Sequence, residues 1–479
     1  MVYSQYAALA LAALAVLALL VSIIRAFVIK KSLPVNDVFG SWSPEDMLCA
    51  EKLSEMVKFK TLGVTSGGDQ AEFDRYRDKL DLLFPEFFSH VEELSIEGAY
   101  VWRIKGAGGG LPALILAHSD IVEAQGKWDD PPFAGIIKDG KIYGRGTLDN
   151  KGMLCAALTA SEKLLCNGFA PKDDVYIVST QNEETTSAGA INCREYFEKN
   201  GIRFGSILDE GGAITCDVMP GVANDMALAG LCEKGYIDMR FTAVSSGGHS
   251  SSPGKGTPIA RLAAFVNHIE TRRVFRIRIL PTLRDMFKAV SPHMAFPYRL
   301  LLGNFRLYGL LLRLVLPGIS PQIGAMMKTT IVFTRCEGGE ANNVIPTSAS
   351  VTANIRNLPG ESCEEVIEKL EGIAKRYGIT AEVVSRKPAS SVTRADSEVV
   401  RRVFSIVEKI HPGAIAVPYL TIGATDCCRL NGLSDNIIRF SPLRASGEEV
   451  DAMHGDNERI GIAELGRAAD FFLEYIAGL

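Results

Sequence analysis

The sequence predicts an α/β protein whose sheet carries helices on both faces, with a smaller α+β domain inserted into it and a transmembrane helix before it. Three observations lead to this prediction. Buried-strand patterns alternate with helical spacing between residues 113 and 208. From about residue 232 the strands alternate polar and apolar residues, as half-exposed strands do. Residues 6–24 carry no charge and are mostly Ala, Leu, Val and Ile.

The uncharged N-terminal segment is predicted to be a membrane anchor. As a helix, its 19 residues extend about 28 Å, close to the roughly 30 Å hydrocarbon core of a bilayer. A cleaved signal peptide is the alternative, but no Lys or Arg precedes the apolar run and no small-x-small cleavage site follows it. We assign residues 1–31 to a single-pass anchor and 32–44 to a linker. Arg25, Lys30 and Lys31 favour a cytoplasmic body, but three charges leave the side of the membrane undecided.

Residues 45–231 are predicted to form the first part of the α/β domain. Helical spacing of apolar residues from Leu48 to Val57 indicates an opening amphipathic helix. Buried strands and a helix then alternate, with strands at 113–117, 175–180 and 206–208 and a helix at 153–165.

Residues 232–385 are predicted to form an inserted α+β domain. It begins with a half-exposed strand at 236–244, followed by a helix at 259–269 and another strand at 348–355. The α/β pattern returns in residues 386–479, with helices at 399–410 and 460–477 and a strand at 437–440. Because α/β elements flank the second domain on both sides, it interrupts the first.

The stretch from residue 272 to 313 is unusually basic and apolar. It carries nine Arg or Lys and a single acid, Asp285, interleaved with Phe, Leu, Met and Tyr. One interpretation is a packed insertion whose basic ends are solvated. The other interpretation is an apolar entrance to the active site near the bilayer, which admits a hydrophobic substrate or contacts anionic lipid.

Composition excludes several classes of protein. Of the 479 residues, 47% are hydrophobic and 22% are charged, so the chain is neither disordered nor of low complexity. The 51 basic and 56 acidic side chains give a net charge of −5, which argues against a nucleic-acid partner. The ten cysteines are scattered without a CxxC pair, a pattern typical of reduced thiols rather than a disulfide scaffold or zinc ribbon.

Carboxylates and imidazoles follow the predicted strands directly. Ligands of an open α/β sheet bind beyond the carboxyl ends of its strands, so we expect these side chains to meet there. Each alone has an ordinary explanation, such as a surface histidine, a solvated loop or a helix cap. Together they offer the nitrogen and oxygen ligands that two zinc ions about 3.5–4 Å apart require. The candidates are His118 and Asp120, Asp149 in GRGTLDNKG, Glu183 and Glu184, Asp209, and His454.

Nine stretches resemble, in the same order, the co-catalytic zinc exopeptidases and amidohydrolases that include carboxypeptidase S, glutamate carboxypeptidase, aminoacylase and succinyl-diaminopimelate desuccinylase. They are AHSDIVEA, KWDDPPFAGIIKDGKIYGRGTLDNKGM, TQNEETTSAGA, ILDEGG, GGHSSSPGKGTPI, ANNVIP, NIRNLPG, GATD and MHGDNERI. The likeness runs from about residue 45 to the C-terminus. It is greatest to the membrane-anchored carboxypeptidase S type and its relatives that act on N-acyl amino acids. It implies a zinc-exopeptidase-like mixed sheet with an inserted lid domain.

The resemblance implies two Zn²⁺ ions per subunit, with Co²⁺ or Mn²⁺ as substitutes. His118 and Asp209 would hold one ion, Glu184 and His454 the other, and Asp149 would bridge them.

The resemblance also assigns roles to neighbours of these ligands. Glu183 would be the general base, and Asp120 would lie behind His118 and fix its tautomer. The peptide bond between Asp149 and Asn150 would be cis.

Substrate recognition would fall largely to the inserted domain. His249 would polarise the scissile carbonyl or stabilise the oxyanion, and Asn342 and Arg356 would bind the substrate carboxylate. The planar fork of an arginine suits a carboxylate because it donates two parallel hydrogen bonds. Thr425 and Asp426 would lie in a loop near the substrate.

The resemblance therefore implies a zinc-dependent metallopeptidase or amidohydrolase that cleaves an amide or peptide bond next to a free carboxylate, as a carboxypeptidase does. An N-acyl amino acid hydrolase or synthase, with fatty-acyl substrates, is the alternative. The remaining alternative is a membrane-tethered peptide-binding protein without catalysis. The expected partners are a small carboxylate-bearing peptide or N-acyl amino acid and the membrane, with monomer and homodimer both open.

Overall fold

The computed structural model describes residues 2–28, 40–216, 219 and 221–479. Most of the predicted linker lies outside these described residues, and so do Lys30 and Lys31 of the predicted anchor. The helices are α1 Val2–Val28, α2 Pro44–Val57, α3 Gln70–Leu83, α4 Pro85–His90, α5 Lys151–Cys166, α6 Ala188–Lys199, α7 Pro258–Thr271, α8 Pro281–Val290, α9 Phe296–Gly303, α10 Phe305–Val315, α11 Pro321–Met327, α12 Cys363–Lys375, α13 Glu398–Ile410, α14 Gly447–Ala452 and α15 Ile462–Ala477. The strands are β1 Glu92–Ile96, β2 Ala99–Ile104, β3 Ala113–Leu116, β4 Ile136–Lys138, β5 Lys141–Tyr143, β6 Val175–Thr180, β7 Ser206–Asp209, β8 Ile214–Thr215, β9 Met226–Glu233, β10 Tyr236–Val244, β11 Gly248–His249, β12 Thr330–Gly338, β13 Val344–Ile345, β14 Ser348–Arg356, β15 Thr380–Lys387, β16 Ile415–Thr421, β17 Ile437–Arg439, β18 Arg444–Ala445 and β19 Arg459–Gly461.

A ten-stranded mixed sheet forms the larger part of the molecule. Its order is β1-β2-β6-β3-β7-β17-β9-β8-β18, with β16 beside β9. The central strands β6, β3, β7 and β17 are parallel, whereas β1 and β2 are antiparallel to their neighbours. The predicted α/β class with a mixed sheet is therefore confirmed. Strands β16, β17 and β18 come from the C-terminal part of the chain, so they return to the sheet that β1–β3 and β6–β9 begin.

The central strands are buried on both faces. In β3, Ile115 packs into a core that contains residues of α2, α5 and α15, whereas Leu114 and Leu116 pack into a second core with residues of α6. All four side chains of this strand are buried. A continuous apolar run is the pattern expected of a strand covered by helices on both sides.

A four-stranded antiparallel sheet, in the order β12-β14-β10-β15, lies in the segment predicted as the lid. Helices α7 and α12 pack on one face, where Phe241 and Ile237 of β10 join Phe265 and Leu370 in a separate core. The other face is half-exposed, which gives β10 and β14 their alternating burial. The polar and apolar alternation in the sequence reflects these two faces.

Helices α8–α11 lie between α7 and β12 in the chain and pack against the main sheet. Leu283, Met286 and Met327 form a core with Val417 and Leu420 of β16. This segment is thus a packed insertion, as one of the two sequence interpretations holds, and it packs on the edge of the main sheet.

Helix α1 packs against this insertion. Ser22 is buried, and its Oγ lies 2.8 Å from the Tyr308 hydroxyl, while Asn304 Nδ2 donates to the Ser22 carbonyl at 3.1 Å. Over the described part of the chain, no single helix meets the length and hydropathy of a membrane span. The helix pair Phe296–Gly303 and Leu307–Gly318 meets them together, with a bend of 114°.

Candidate active site

The candidate site lies at the carboxyl ends of three adjacent parallel strands. His118 follows β3, Glu183 and Glu184 follow β6, and β7 ends at Asp209. Because β6, β3 and β7 are neighbours in one parallel set, their ends meet at one edge of the sheet. The sheet thus brings together residues that are distant in sequence, at the edge where open α/β sheets bind ligands.

Asp149 lies between two histidines. Its Oδ1 is 2.8 Å from His118 Nε2, and its Oδ2 is 2.9 Å from His454 Nε2. The same nitrogen of His454 lies 3.0 Å from Glu184 Oε1. Each carboxylate oxygen of Asp149 therefore faces a different imidazole, as a carboxylate that bridges two cations would.

Charge is concentrated around these imidazoles. The carboxylates of Asp149 and Glu184 accept hydrogen bonds from the His454 imidazole and raise its pKa to about 10. Burial opposes the charged form of His118, but the hydrogen bonds and charges of Asp120 and Asp149 outweigh it and raise the His118 pKa well above its usual value. Two carboxylates therefore face each imidazole and favour positive charge there.

Three groups of ligand atoms converge within 4.8 Å among the described residues. The first joins His118 to Asp149 and Glu210, and the second joins Asp149 to Glu184 and His454. The remaining group contains His118, Glu183 and Glu184. Asp149 belongs to two of the groups, so the arrangement could hold two cations that share this carboxylate. Nitrogen and carboxylate oxygen are donors that zinc accepts.

Asp209, the ligand expected from the sequence, is absent from these described groups, and its neighbour Glu210 takes that position. The Asp209 carboxylate accepts hydrogen bonds from the backbone amides of Cys427 at 2.8 Å and Glu210 at 2.9 Å. Burial and the nearby charge of Asp426 raise the pKa of Asp209 to about 6. Each oxygen of Asp209 thus accepts one backbone amide. The two adjacent acids in ILDEGG contain no sequence signal that separates them.

Asp120 is fully buried behind the site. Its Oδ1 and Oδ2 accept hydrogen bonds from the backbone amides of Glu183 and Glu184, both at 3.1 Å. His118 Nδ1 lies 2.9 Å from the Asp120 carbonyl oxygen and 3.4 Å from its carboxylate. Asp120 therefore fixes both the His118 ring and the loop that carries the two glutamates.

Glu183 lies beside the cluster and has a strongly raised proton affinity. Burial raises the pKa of Glu183 well above its usual value. The negative charges of Glu210, Asp426 and Glu184 raise this pKa further, whereas the charge of His118 lowers it. A carboxylate held this way binds a proton readily, which is the property required of a general base.

The loop that carries Asp149 is held from below by a buried ion pair. Glu458 Oε2 lies 2.7 Å from Arg145 Nη1, and Glu458 Oε1 accepts hydrogen bonds from the amides of Leu148 at 2.8 Å and Asp149 at 3.2 Å. The peptide bond from Asp149 to Asn150 is cis, as expected. Sequence reasoning missed Glu458, although it lies within the MHGDNERI stretch.

The lid residues lie apart from this cluster in the described structure. His249 is exposed on β11, with its Nδ1 2.7 Å from Ser251 Oγ. Arg356, at the end of β14, stacks on Tyr236 with its guanidinium carbon 4.6 Å from the ring centroid, and lines a cleft of about 340 Å³. Asn342 is exposed in the loop before β13.

Thr425 and Asp426 are buried beneath the site. Thr180 Oγ1 donates to Asp426 Oδ2 at 2.6 Å, and the Thr425 amide donates to Glu233 Oε2 at 3.2 Å. Glu233 is in turn paired with Arg439, with both side chains fully buried. In this arrangement the two residues support the floor of the site.

Comparison with known proteins assigns the family. The family model for peptidase family M20/M25/M40 matches residues 114–478. The chain belongs to this family. It is 32% identical to carboxypeptidase S-like 2 of Dictyostelium discoideum, over 90% of this chain and 85% of that one. It is 31% identical to human N-fatty-acyl-amino acid synthase/hydrolase PM20D1, over 85% of this chain and 82% of the relative.

Solved M20 structures share the fold. An M20 metallo-carboxypeptidase from Sulfolobus solfataricus aligns with a TM-score of 0.63 and 19% identity, over 91% of this chain and 99% of that chain. The Bacillus subtilis YXEP protein, described as a dinuclear metal-binding M20 peptidase, aligns with a TM-score of 0.57 and 14% identity, over 90% of this chain and 98% of that chain. The predicted family is confirmed, and this M20 protein is a metal-dependent hydrolase of peptide or amide bonds.

Proposed function

We propose that this M20 protein is a dizinc hydrolase that cleaves the amide or peptide bond next to a free carboxylate, as a carboxypeptidase does. The observation that carries the proposal is the position of Asp149, which presents one oxygen to His118 and the other to His454. That arrangement supports a bridging role, because each oxygen of one carboxylate faces a different candidate metal ligand.

Two ligand sets follow from the clustered atoms. His118 and Glu210 would complete one set with Asp149, and Glu184 and His454 would complete the other. We assign Glu210 in place of Asp209 because the Asp209 oxygens already accept two backbone amides. Zn²⁺ suits this mixture of nitrogen and oxygen donors, and Co²⁺ or Mn²⁺ would substitute. When bound, the ions supply Lewis acidity, which lowers the pKa of a water towards neutrality.

Glu183 would serve as general base. Its carboxylate takes a proton from the attacking water and delivers it to the leaving nitrogen. The buried setting keeps its affinity for protons high, and the backbone contact with Asp120 holds it at the edge of the cluster. Its neighbour Glu184 points to His454 instead, so the two adjacent glutamates divide into a base and a ligand.

The lid would recognise the substrate carboxylate. Arg356 and Asn342 offer the hydrogen-bond donors that a carboxylate requires, and His249 offers an imidazole for the carbonyl or oxyanion. Because these residues lie apart from the ligand cluster, closure of the lid over a bridging substrate would bring them to the reaction. Thr425 and Asp426 would line the floor from below rather than bind the substrate.

The second candidate substrate class is the N-acyl amino acids. The human relative is named for synthesis and hydrolysis of N-fatty-acyl amino acids, and the Dictyostelium relative is named for carboxypeptidase S. Both classes place an amide beside a free carboxylate, so the same site serves either. Their difference lies in the acyl side, which is a blocked amino acid in one and a long hydrocarbon chain in the other.

A substrate panel tests the proposal. Purified full-length protein, supplied with Zn²⁺, is assayed on N-blocked dipeptides, on long-chain N-acyl amino acids, and on the C-terminally amidated form of each. We expect chelator-sensitive hydrolysis of the free acids and at least about 10²-fold lower kcat/KM for the amides. Equal turnover of acid and amide would contradict recognition of the carboxylate.

We also propose that the N-terminal helix anchors the protein in a membrane. Support comes from the uncharged stretch at residues 6–24 and from the exposed apolar side chains Leu19, Leu20 and Ile24 of α1. Separation of a cell lysate tests the anchor: the full-length protein should stay in the pellet after carbonate extraction and move to the supernatant with detergent. Release by carbonate alone would overturn it.

A further inference from the structure

Helix α10 presents an exposed apolar face. Leu310 is 78% exposed and Leu314 is 71% exposed, and Leu307 and Leu311 lie on the same face at helical spacing. On the opposite side, Leu312 and the following Leu316 are buried in the core shared with β16. The helix therefore has two apolar faces. One packs into the protein, and the other is uncovered.

Helices α9 and α10 contact α1. Phe27 of α1 packs on Phe296 of α9 with ring centroids 4.9 Å apart, and Ser22 contacts Tyr308 and Asn304. Large exposed apolar patches are rare on soluble proteins and mark surfaces that contact a partner or a membrane. The patch on α10 thus lies beside the helix that we propose as an anchor.

A basic cleft opens where α1 meets this segment. Its volume is about 970 Å³, and Arg25, Arg284 and Lys288 line it beside Leu17 and Val21. None of these three cations has an acidic partner among the described residues; the one acid in the lining is Asp285. The chain from residue 286 to 336 contains no Asp or Glu. The cleft therefore offers positive charge above apolar walls.

We propose that the exposed face of α10 and this cleft form a docking surface for an anionic phospholipid bilayer. The leucines of α10 would enter the interface, and Arg25, Arg284 and Lys288 would contact a lipid phosphate whose acyl chains lie along Leu17 and Val21. Basic residues next to an apolar face match the charge of anionic headgroups. This inference rests on the proposed anchor, because α1 places α10 at the membrane surface.

Environment-sensitive labels test the surface in the full-length chain. The more accessible native thiols are removed by C166S, C216S and C336S, and one new cysteine is introduced as L310C, L20C or L82C. Leu82 is 76% exposed on α3 and serves as the matched control. In nanodiscs with phosphatidylserine, we expect the label at position 310 to shift to the blue and to lose at least about threefold in aqueous quenching, with position 82 unchanged.

The label at position 20 separates the two proposals. Protection at position 20 with full quenching at 310 would overturn the docking surface and leave the anchor intact. Full quenching at position 20 with protection at 310 would overturn the anchor, and with it the premise that α1 places α10 at the membrane surface. Protection at 310 that persists in detergent and disappears on dilution would identify a second copy of the chain as the occupant and would also overturn the docking surface.

The cleft has its own test. Full-length protein is purified from nanodiscs that contain equal amounts of phosphatidylcholine and phosphatidylserine, and the retained lipid is identified and quantified by native mass spectrometry. We expect at least about threefold enrichment of phosphatidylserine, and we expect R284Q/K288Q to abolish it. The control K375Q/R401Q removes the same charge from exposed helix positions and should retain the enrichment. Equal retention of both lipids by the unmodified chain would contradict the cleft's role.

Discussion

The carboxylate of Asp120 accepts a hydrogen bond from the backbone amide of Glu183, and its second oxygen accepts one from Glu184. One buried side chain therefore sets the position of both glutamates after β6. Asparagine keeps one acceptor oxygen and turns an N–H towards the other amide, so Asp120→Asn disturbs the loop without changing its size. We expect a loss of about 10–100-fold in kcat or metal affinity.

A control within the same loop separates positioning from general damage. Asn182 caps the loop, with its Oδ1 accepting from Gly189 N at 2.7 Å, but it does not touch the cluster. Asn182→Ser should leave the metal affinity within about threefold of the wild type. An Asp120→Asn protein with unchanged kcat and metal affinity would show that the loop is held by other contacts.

Glu183 and Glu184 should respond differently to the same substitution. Glu183→Gln removes the base but no proposed ligand, so we expect kcat to fall by at least about 10²-fold while metal content stays constant. Glu184→Gln removes a partner of His454 and should lose one metal ion per chain. Stopped assays and metal analysis of the two variants test the division. A reversed pattern would exchange the two roles.

Glu210 should act as a ligand and Asp209 as a support. Glu210→Gln removes an oxygen from the group with His118 and Asp149, so we expect loss of one metal ion and of activity. Asp209→Asn keeps an acceptor for one of its two backbone amides, so we expect both ions to remain. The measurement is metal content of each dialysed variant. Loss of metal from Asp209→Asn alone would restore the ligand set expected from the sequence.

Glu458 should be a large contributor to stability. It is buried with Arg145 and accepts from the Leu148 and Asp149 amides, so Glu458→Gln leaves a buried cation without its full partner. We expect unfolding in urea, with chelator present, to become about 3–5 kcal/mol easier. The exposed Glu448, paired with Arg459, is the control, and Glu448→Gln should cost under about 1 kcal/mol. Equal effects would contradict the role of the buried pair.

Lys234 should make stability depend on pH. Burial and the charge of Arg356 lower the pKa of Lys234 to about 7. Between that value and the usual lysine pKa, the unfolded chain binds the extra proton, so stability rises as pH increases above 7, by at most about 1.4 kcal/mol per pH unit. Lys234→Met should remove this rise. Urea unfolding at pH 7 and pH 9 measures it, and an unchanged slope in the variant would contradict the buried cation.

The sequence predicts the central strands well because their pattern leaves little choice. Residues 175–180 were expected as a strand and form β6, and the expected helix at 399–410 is α13 Glu398–Ile410. In each segment the spacing of the apolar residues fits a single type of secondary structure, and the apolar residues are buried. Local sequence is sufficient where periodicity and burial agree.

Two features depend on contacts that a local sequence pattern does not contain. Our proposed choice of Glu210 over Asp209 as a ligand rests on the Cys427 amide, which is more than 200 residues away from Asp209. Likewise, α8 packs on β16 rather than on the lid strands near it in sequence. Such choices depend on long-range contacts that a local pattern does not contain.

Metal stoichiometry tests the central claim most directly. Full-length protein is loaded with Zn²⁺, dialysed, and analysed for metal by mass spectrometry beside Asp149→Ala, with folding checked by circular dichroism. The account predicts two ions per chain in the wild type, and fewer than one, with no hydrolysis, in the variant. A folded, active wild type that holds one ion or none, or a variant that keeps both ions, would contradict it.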